Sequence, residues 1–188
     1  MNLKSTPKSS WRNRWRRWAV EALVFVALLY ALQLWLGREM VSGTAPVLVG
    51  QDLQGQVIDL AAHTNQPTLV YFWATWCPIC KLMESDIHAI AQDHRVISIA
   101  MQSESAAAVS EHLRERGLQF TTLNDPEGQL ARQWGVTAVP AAFVILPNGT
   151  IFSKTRGYST RLGLRARLWW AQLQNTSATN ATEQPPSN

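Results

Sequence analysis

Two cysteines placed directly after an apolar run constrain the fold of this chain more than any other feature. Residues 68–74 read Thr-Leu-Val-Tyr-Phe-Trp-Ala, and residues 76–80 read Trp-Cys-Pro-Ile-Cys. The run predicts a buried strand, and the proline between the cysteines suits the first turn of a helix. A thiol at a helix start faces unpaired backbone N–H groups and the positive end of the dipole, which favours the thiolate.

Cys77 and Cys80 are the only cysteines in 188 residues. Cys77 is the candidate attacking thiolate, and Cys80, one helical turn further along, is the candidate resolving thiol. A structural disulfide is the alternative, but a link between residues three positions apart constrains little of the unfolded chain. The sequence therefore favours a redox-active, catalytic pair.

The positive charge of the chain is concentrated at its N-terminus. Seven basic and two acidic residues precede residue 45, giving +5, whereas ten basic and eleven acidic residues from residue 45 onward give −1. The folded body lacks the basic excess that is typical of nucleic-acid binding, so no nucleic-acid partner is expected.

Residues 18–36 form an apolar run whose markedly polar members are Glu21 and Gln33. Its length approaches the roughly 20 residues with which a helix crosses a bilayer. A basic cluster at 12–17 precedes it, so the excess of positive charge predicts a cytoplasmic N-terminus and an exported C-terminal part. A cleaved signal peptide and a buried helix of a soluble protein are the alternatives.

These patterns divide the chain into five parts. They are a basic cytoplasmic segment at 1–17, a transmembrane anchor at 18–36, a linker at 37–47, a folded domain at 48–173 and a disordered polar tail at 174–188.

Strand and helix patterns alternate within the folded domain, which predicts a parallel β-α-β unit. The expected strands are a hairpin within 52–60 and the segments 68–73, 96–100, 120–123, 141–146 and 150–155. The expected helices are 78–93, 105–116, 127–134 and 160–173.

The order strand, Trp-Cys-x-x-Cys, helix, strand, helix, Val-Pro, hairpin and final helix resembles the thioredoxin superfamily. Its motifs are residues 72–80 and the dipeptide Val139-Pro140. Within the superfamily the chain is similar to the membrane-tethered bacterial branch of the cytochrome c maturation thioredoxins, and in particular to the suppressor of copper sensitivity protein D type. The segments that carry this similarity are 71–77, 117–120, 124–125 and 165–171.

The resemblance implies an α/β thioredoxin-like fold, with a central mixed sheet and flanking helices, preceded by one N-terminal transmembrane helix. It implies a periplasmic thiol-disulfide oxidoreductase held in the bacterial inner membrane by a single pass, with a cytoplasmic N-terminus. Its partners would be a membrane electron donor and disulfide-containing exported proteins, linked to copper tolerance or cytochrome c maturation. No cofactor and no metal site are expected. The absence of a histidine between the cysteines favours a reductant or isomerase.

The same resemblance supplies the candidate substrate-binding residues. Pro140 would be a cis-proline facing the dithiol, which leaves the Val139 backbone free to pair with an extended substrate; an ordinary trans proline is the alternative. Trp76, Pro78 and Ile79 complete this candidate set, whereas Trp73 in the buried strand is expected to be core.

Two buried acids of the relatives are missing from this chain. Tyr71 stands where thioredoxin carries an acid six residues before the first cysteine, and Met83 stands where the cytochrome c maturation branch often carries one six residues after it. Glu84 is one position off, and on a helix that step turns a side chain by about 100°. Tyr71 and Glu84 are therefore candidates for tuning the thiol pKa, without an assigned proton-relay role for Glu84.

A copper(I) site formed by the Cys77 and Cys80 thiolates is the alternative function, because soft thiolates suit copper(I). No Met-rich or Cys/His-rich stretch accompanies the pair. The four histidines show no metal-ligand spacing and are expected to be solvated or to cap helices. A thioredoxin-fold adaptor that only binds proteins is a third alternative, against which the dithiol at the helix start argues.

Overall fold

The computed structural model describes residues 10–36, 39–62 and 65–182. Its contacts divide the chain into two units, Met1–Arg38 and Glu39–Asn188. Helix α1, Ser10–Leu36, belongs to the first unit. In the described part of the chain, no helix combines the length and the apolar character needed to cross a membrane. The predicted anchor at 18–36 is thus not confirmed, and the side chains of its residues 29–36 lie outside the described ones.

The second unit contains a two-stranded and a five-stranded sheet with helices on both faces of the larger sheet. The strands are β1 (Val49–Gln51), β2 (Val57–Asp59), β3 (Thr68–Trp73), β4 (Arg95–Met101), β5 (Thr121–Asp125), β6 (Ala141–Ile145) and β7 (Ile151–Arg156). The helices are α2 (Pro78–Ala91), α3 (Ala106–Glu115), α4 (Gln129–Gln133) and α5 (Arg161–Thr182).

Strand β3 lies at the centre of the larger sheet, whose order is β5-β4-β3-β6-β7. It runs parallel to β4, with Thr68 opposite Arg95, and antiparallel to β6, with Thr68 opposite Ile145. All six of its residues are buried. A strand that is apolar on both faces can lie only between two layers, so the run at 68–73 becomes the central strand.

Alternate side chains of β3 divide between two hydrophobic cores. Leu69, Tyr71 and Trp73 pack into the core shared with α2, α3 and α5. Val70 and Phe72 pack into the core shared with α4 and β6. The carboxyl end of β3, where the dithiol segment begins, is therefore held from both sides. The mixed sheet and flanking helices confirm the expected thioredoxin-like α/β fold.

The first hairpin uses different residues from those predicted. Its strands are β1 and β2, and the predicted strand start at Asp52 is part of the turn. The Asp52 carboxylate accepts hydrogen bonds from the backbone N–H groups of Gln54 and Gln56, both at 2.9 Å. This side-chain capping stabilises a turn at residues 52–56 in place of a strand.

The last helix is longer than predicted. The pattern placed its end near residue 173 and a disordered tail at 174–188, but α5 continues to Thr182. Residues 164–182 contain neither glycine nor proline, so no backbone constraint ends the helix in this stretch. Residues 183–188 of the predicted tail lie outside the described residues.

Candidate functional site

Cys77 occupies the N-cap of α2. Its backbone is extended, with φ −87° and ψ 115°, and its Sγ accepts a hydrogen bond from the Cys80 backbone N–H at 3.4 Å. Pro78 fills the first helical position, where a missing N–H leaves no helix hydrogen bond unmade. The helix start thus directs a backbone donor at the first thiol, as the sequence pattern predicts.

The two thiols are not linked to each other and differ slightly in exposure. Cys77 is 4% exposed and Cys80 is fully buried. Burial raises the pKa of the Cys80 thiol far above its ordinary 9.0, and its contact with Cys77 adds to the rise. A substrate therefore reaches Cys77 first, while Cys80 is kept as a protonated thiol behind it.

The loop before β6 closes over the first thiol. The Val139–Pro140 peptide bond is cis, the geometry that the resemblance implies. The Cys77 Sγ–H donates to the Val139 carbonyl across 3.7 Å. Val139 is half-buried and Pro140 is buried, so this loop forms one wall beside the thiol that a substrate reaches.

Exposed apolar side chains form the other wall. Trp76 is 57% exposed and Ile79 is 44% exposed, and Pro78 between them in sequence is exposed too. By contrast Trp73 is fully buried, and its Nε1–H donates to Ser98 Oγ at 3.2 Å. The structure therefore confirms that Trp73 is core and places the other three beside Cys77.

Tyr71 lies beneath the dithiol, fully buried. Its hydroxyl makes no hydrogen bond to an N or O atom of the described residues, and its neighbour is the Cys80 thiol. Burial raises the pKa of Tyr71 well above its ordinary 10.0, and the nearby Cys80 and Glu84 add to the rise. A phenol with so high a pKa stays neutral near pH 7. Tyr71 therefore cannot take the Cys80 proton as a base, although its O–H can stabilise a Cys80 thiolate as a donor.

Glu84 is a buried carboxylate with two partners from the α3 region. Its side chain is 1% exposed, its Oε1 lies 2.7 Å from His112 Nε2, and its Oε2 accepts from Arg116 Nε. His112 also contacts the Trp73 ring at a centroid distance of 5.6 Å. The expectation of a solvated or capping role is wrong for His112, because folding brings α3 against α2 and leaves this ring half-buried.

The position of Glu84 explains how it relates to the thiols. It follows Cys80 by four residues, one turn deeper in α2, and its charge contributes to the raised pKa of Tyr71. The groups that shift the pKa of Cys80 are its own burial, Cys77, Ala74 and Tyr71. Glu84 thus raises the pKa of Tyr71, and its carboxylate is held at the α2–α3 contact by His112 and Arg116.

The loop after β4 forms hydrogen bonds with the segment before Cys77. The sequence did not lead us to predict this contact. The Thr75 N–H donates to Ser103 Oγ at 3.1 Å, and the Trp76 Nε1–H donates to the Gln102 carbonyl at 2.9 Å. Gln102 and Glu104 both adopt positive φ, 48° and 69°, which non-glycine residues rarely do. The sequence signal for this contact is the polar run at 102–104, which follows the carboxyl end of β4, the strand parallel to β3.

The described residues offer few side-chain ligands for a metal ion. Within the described ranges, no group of three or more His, Cys, Asp or Glu side chains is placed to hold a metal ion. The Cys77 and Cys80 thiols therefore have no further His, Cys, Asp or Glu ligand among the described residues, and no observation favours a copper(I) site.

Comparison with known proteins identifies the relatives of this chain. The model of the AhpC/TSA family matches residues 41–154. A thioredoxin-like protein of Haemophilus influenzae is 37% identical over 125 residues, which are 65% of this chain and 74% of that protein. A thiol:disulfide interchange protein DsbE homolog of Paracoccus denitrificans is 33% identical over 125 residues, 65% of this chain and 69% of that protein.

Solved structures agree with the fold. A secreted thiol-disulfide isomerase from Corynebacterium glutamicum superposes with a TM-score of 0.63, covering 68% of this chain and 84% of that one. Their sequences are 18% identical, so this likeness concerns the arrangement of the sheet and helices alone.

The protonated, buried Cys80 and Tyr71 make the stability of the reduced protein depend on pH. The unfolded chain releases these protons near pH 9.0 and 10.0, whereas burial makes the folded chain keep them. The folded state then binds more protons, so its free energy of unfolding falls as the pH rises. The slope approaches about 1.4 kcal/mol per pH unit for each retained proton. Urea unfolding from about pH 8 to about pH 10.5 measures it.

Two controls separate the contributions. Tyr71→Phe removes one retained proton, and oxidation to the Cys77–Cys80 disulfide removes the other, so each should flatten the dependence. If the reduced wild type and Tyr71→Phe showed the same pH dependence, the assignment to Tyr71 would be wrong.

Proposed function

Because the chain belongs to the AhpC/TSA family and is a protein-disulfide oxidoreductase, we propose that it reduces or isomerises disulfides in exported proteins. One observation carries the proposal. Cys77 lies at the N-cap of α2 and is 4% exposed, while Cys80 is fully buried one helical turn further along. An accessible attacking thiol with a protected resolving thiol is the arrangement that disulfide exchange needs. The motif has no histidine between its cysteines, which supports net reduction.

The reaction moves two electrons from the dithiol to a substrate disulfide. The Cys77 thiolate attacks one substrate sulfur, the substrate S–S bond breaks, and the other sulfur leaves as a thiolate. Cys80 then attacks Cys77 Sγ, and its proton passes to the departing substrate thiolate. The products are a reduced substrate and a Cys77–Cys80 disulfide, which a dithiol donor in the membrane reduces by the same exchange.

The substrate would bind between the two walls of the site. An extended segment can lie along the Val139 backbone at the edge formed before β6, while Trp76, Pro78 and Ile79 cover its apolar side chains. The cis Val139–Pro140 loop faces the same thiol. These contacts require no cofactor.

Trapping tests the exchange mechanism. Cys77→Ala should abolish reduction of a model protein disulfide, because no attacking thiolate remains. Cys80→Ser should instead accumulate mixed disulfides with substrates, because the resolving thiol is gone, and these should disappear on treatment with dithiothreitol. Non-reducing gels followed by mass spectrometry measure the adducts.

The double variant Cys77→Ala/Cys80→Ser is the matched control and should trap nothing. Adding Trp76→Ser to the Cys80→Ser chain should lower the adduct yield if Trp76 contacts substrate. A Cys80→Ser chain that traps no protein would contradict the proposed exchange. The identity of the trapped proteins separates copper tolerance from cytochrome c maturation, the two processes to which the sequence resemblance points.

The direction of electron flow is tested by the redox state of Cys77 and Cys80 in the cell. We expect a mostly reduced pair that becomes oxidised when its membrane electron donor is removed, because a reductant must be recharged. Acid quenching and a thiol-alkylation gel shift measure both states. A pair that is oxidised whether or not the donor is present would indicate an oxidase instead.

We also propose that residues 18–36 anchor the chain in the bacterial inner membrane, with the N-terminus cytoplasmic and the redox unit periplasmic. The support is the apolar run itself and the basic cluster at 12–17 before it. The chain should then stay in the membrane during alkaline extraction, and protease added to spheroplasts should digest its redox unit. Release into the alkaline supernatant, or protection from the protease, would count against this anchor.

A further inference from the structure

Helix α5 is apolar on two opposite faces. One face packs into the core through Leu164, Leu168 and Ala171. At about 100° per residue, five other side chains fall within an arc of about 100° on the opposite side of the helix. These five residues, here called the α5 strip, are all exposed: Leu162, Ala166, Trp169, Trp170 and Leu173.

The α5 strip is exposed to an extent that the fold does not require. Leu162 is 81% exposed, and Trp169 and Trp170 are 63% and 60% exposed. From Leu162 to Leu173 the strip extends for roughly 16 Å along the helix. Single exposed apolar residues are ordinary, but a continuous strip with two adjacent tryptophans is typical of an interaction surface.

The charges along α5 have one sign. Residues 161–182 contain three arginines and no acidic residue. Arg161 pairs with Asp86 at 3.1 Å and Arg165 pairs with Asp93, and both pairs hold α5 to the α2 region. Among the described residues no salt bridge involves Arg167, which lies at the margin of the strip nearest Trp170 on the helical wheel. A partner of this surface should therefore be apolar with negative charge at its edge.

We propose that the α5 strip rests in the interface of a bilayer that contains anionic lipids. Tryptophan joins a large apolar ring to an N–H donor and prefers the boundary between hydrocarbon and headgroups. A helix with leucines and tryptophans on one face and arginines at its margins is the form that lies in this interface. Anionic headgroups supply the negatively charged partner that Arg167 does not have among the described residues.

A second copy of the chain fits the strip less well. Two α5 helices packed along their strips would bring Arg167 of both copies to the interface, with no acidic side chain on either helix to compensate it. The proposed lipid contact goes beyond the redox function, and it requires neither the dithiol nor the anchor proposed for residues 18–36.

The test compares the full-length wild type with Trp169→Ser/Trp170→Ser, both reconstituted into vesicles whose acyl chains are brominated near the headgroup. Bromine quenches tryptophan only at contact distance, so the difference between the two proteins isolates these two side chains. In phosphatidylcholine–phosphatidylglycerol vesicles we expect a quenched component in the wild type that the double variant loses. Arg167→Gln should shift half-maximal quenching to a higher phosphatidylglycerol content, because each arginine near an anionic surface contributes about fivefold in affinity.

Trp76→Ser is the matched control, since Trp76 has a similar exposure and lies beside the dithiol rather than on α5. It should leave the lipid-dependent component at the wild-type level. Retained disulfide-reductase activity shows that the double variant is folded, because α5 contributes no residue to the site. Equal quenching in the wild type and the double variant would overturn the proposal. The proposal would also be overturned if the wild type formed a dimer in sedimentation velocity that the double variant did not form, and if lipid quenching were the same in both proteins.

Discussion

The burial of β3 on both faces is the constraint on which the rest of the second unit depends. Its five apolar residues, 69–73, divide between two cores, so neither a shift in register nor a rotation of the strand is tolerated without loss of both. Cys77 follows the strand by four residues. The first thiol is therefore placed by the same packing that stabilises the domain, and the helix start then supplies its backbone donor.

The two thiols lie one helical turn apart, and Cys77 is 4% exposed whereas Cys80 is fully buried. Cys77 lies at the rim between the Val139–Pro140 loop and the Trp76 side, whereas Cys80 points into the core beside Tyr71. Burial opposes the charged form of both Cys80 and Tyr71. Burial thus keeps Cys80 and Tyr71 protonated, while Cys77 is the thiol with some exposure.

Glu84 illustrates why a position along the chain is a weak guide to a role in a buried site. From the sequence it is an acid one step away from the place that relatives use, and nothing in the local pattern names its partners. In the structure its carboxylate lies between His112 and Arg116. It belongs to the contact between α2 and α3, and its charge adds to the raised pKa of Tyr71. The direction in which Glu84 projects from α2 and the packing of α3 against α2 together determine the partners of its carboxylate.

Local signals alone determined much of this protein. The order of strands and helices, the close pair Cys77 and Cys80 and the core position of Trp73 follow from apolar periodicity and short motifs, because these report burial and turns within a few residues. The cis-proline at Pro140 was instead implied by the resemblance to the thioredoxin superfamily, since periodicity does not distinguish cis from trans. The tertiary structure decided the partners of Glu84, the support of Trp76 by Gln102, and the outward apolar face of α5. Each of these involves contacts between residues distant in sequence, or depends on which face of a helix is buried. Tertiary packing determines both.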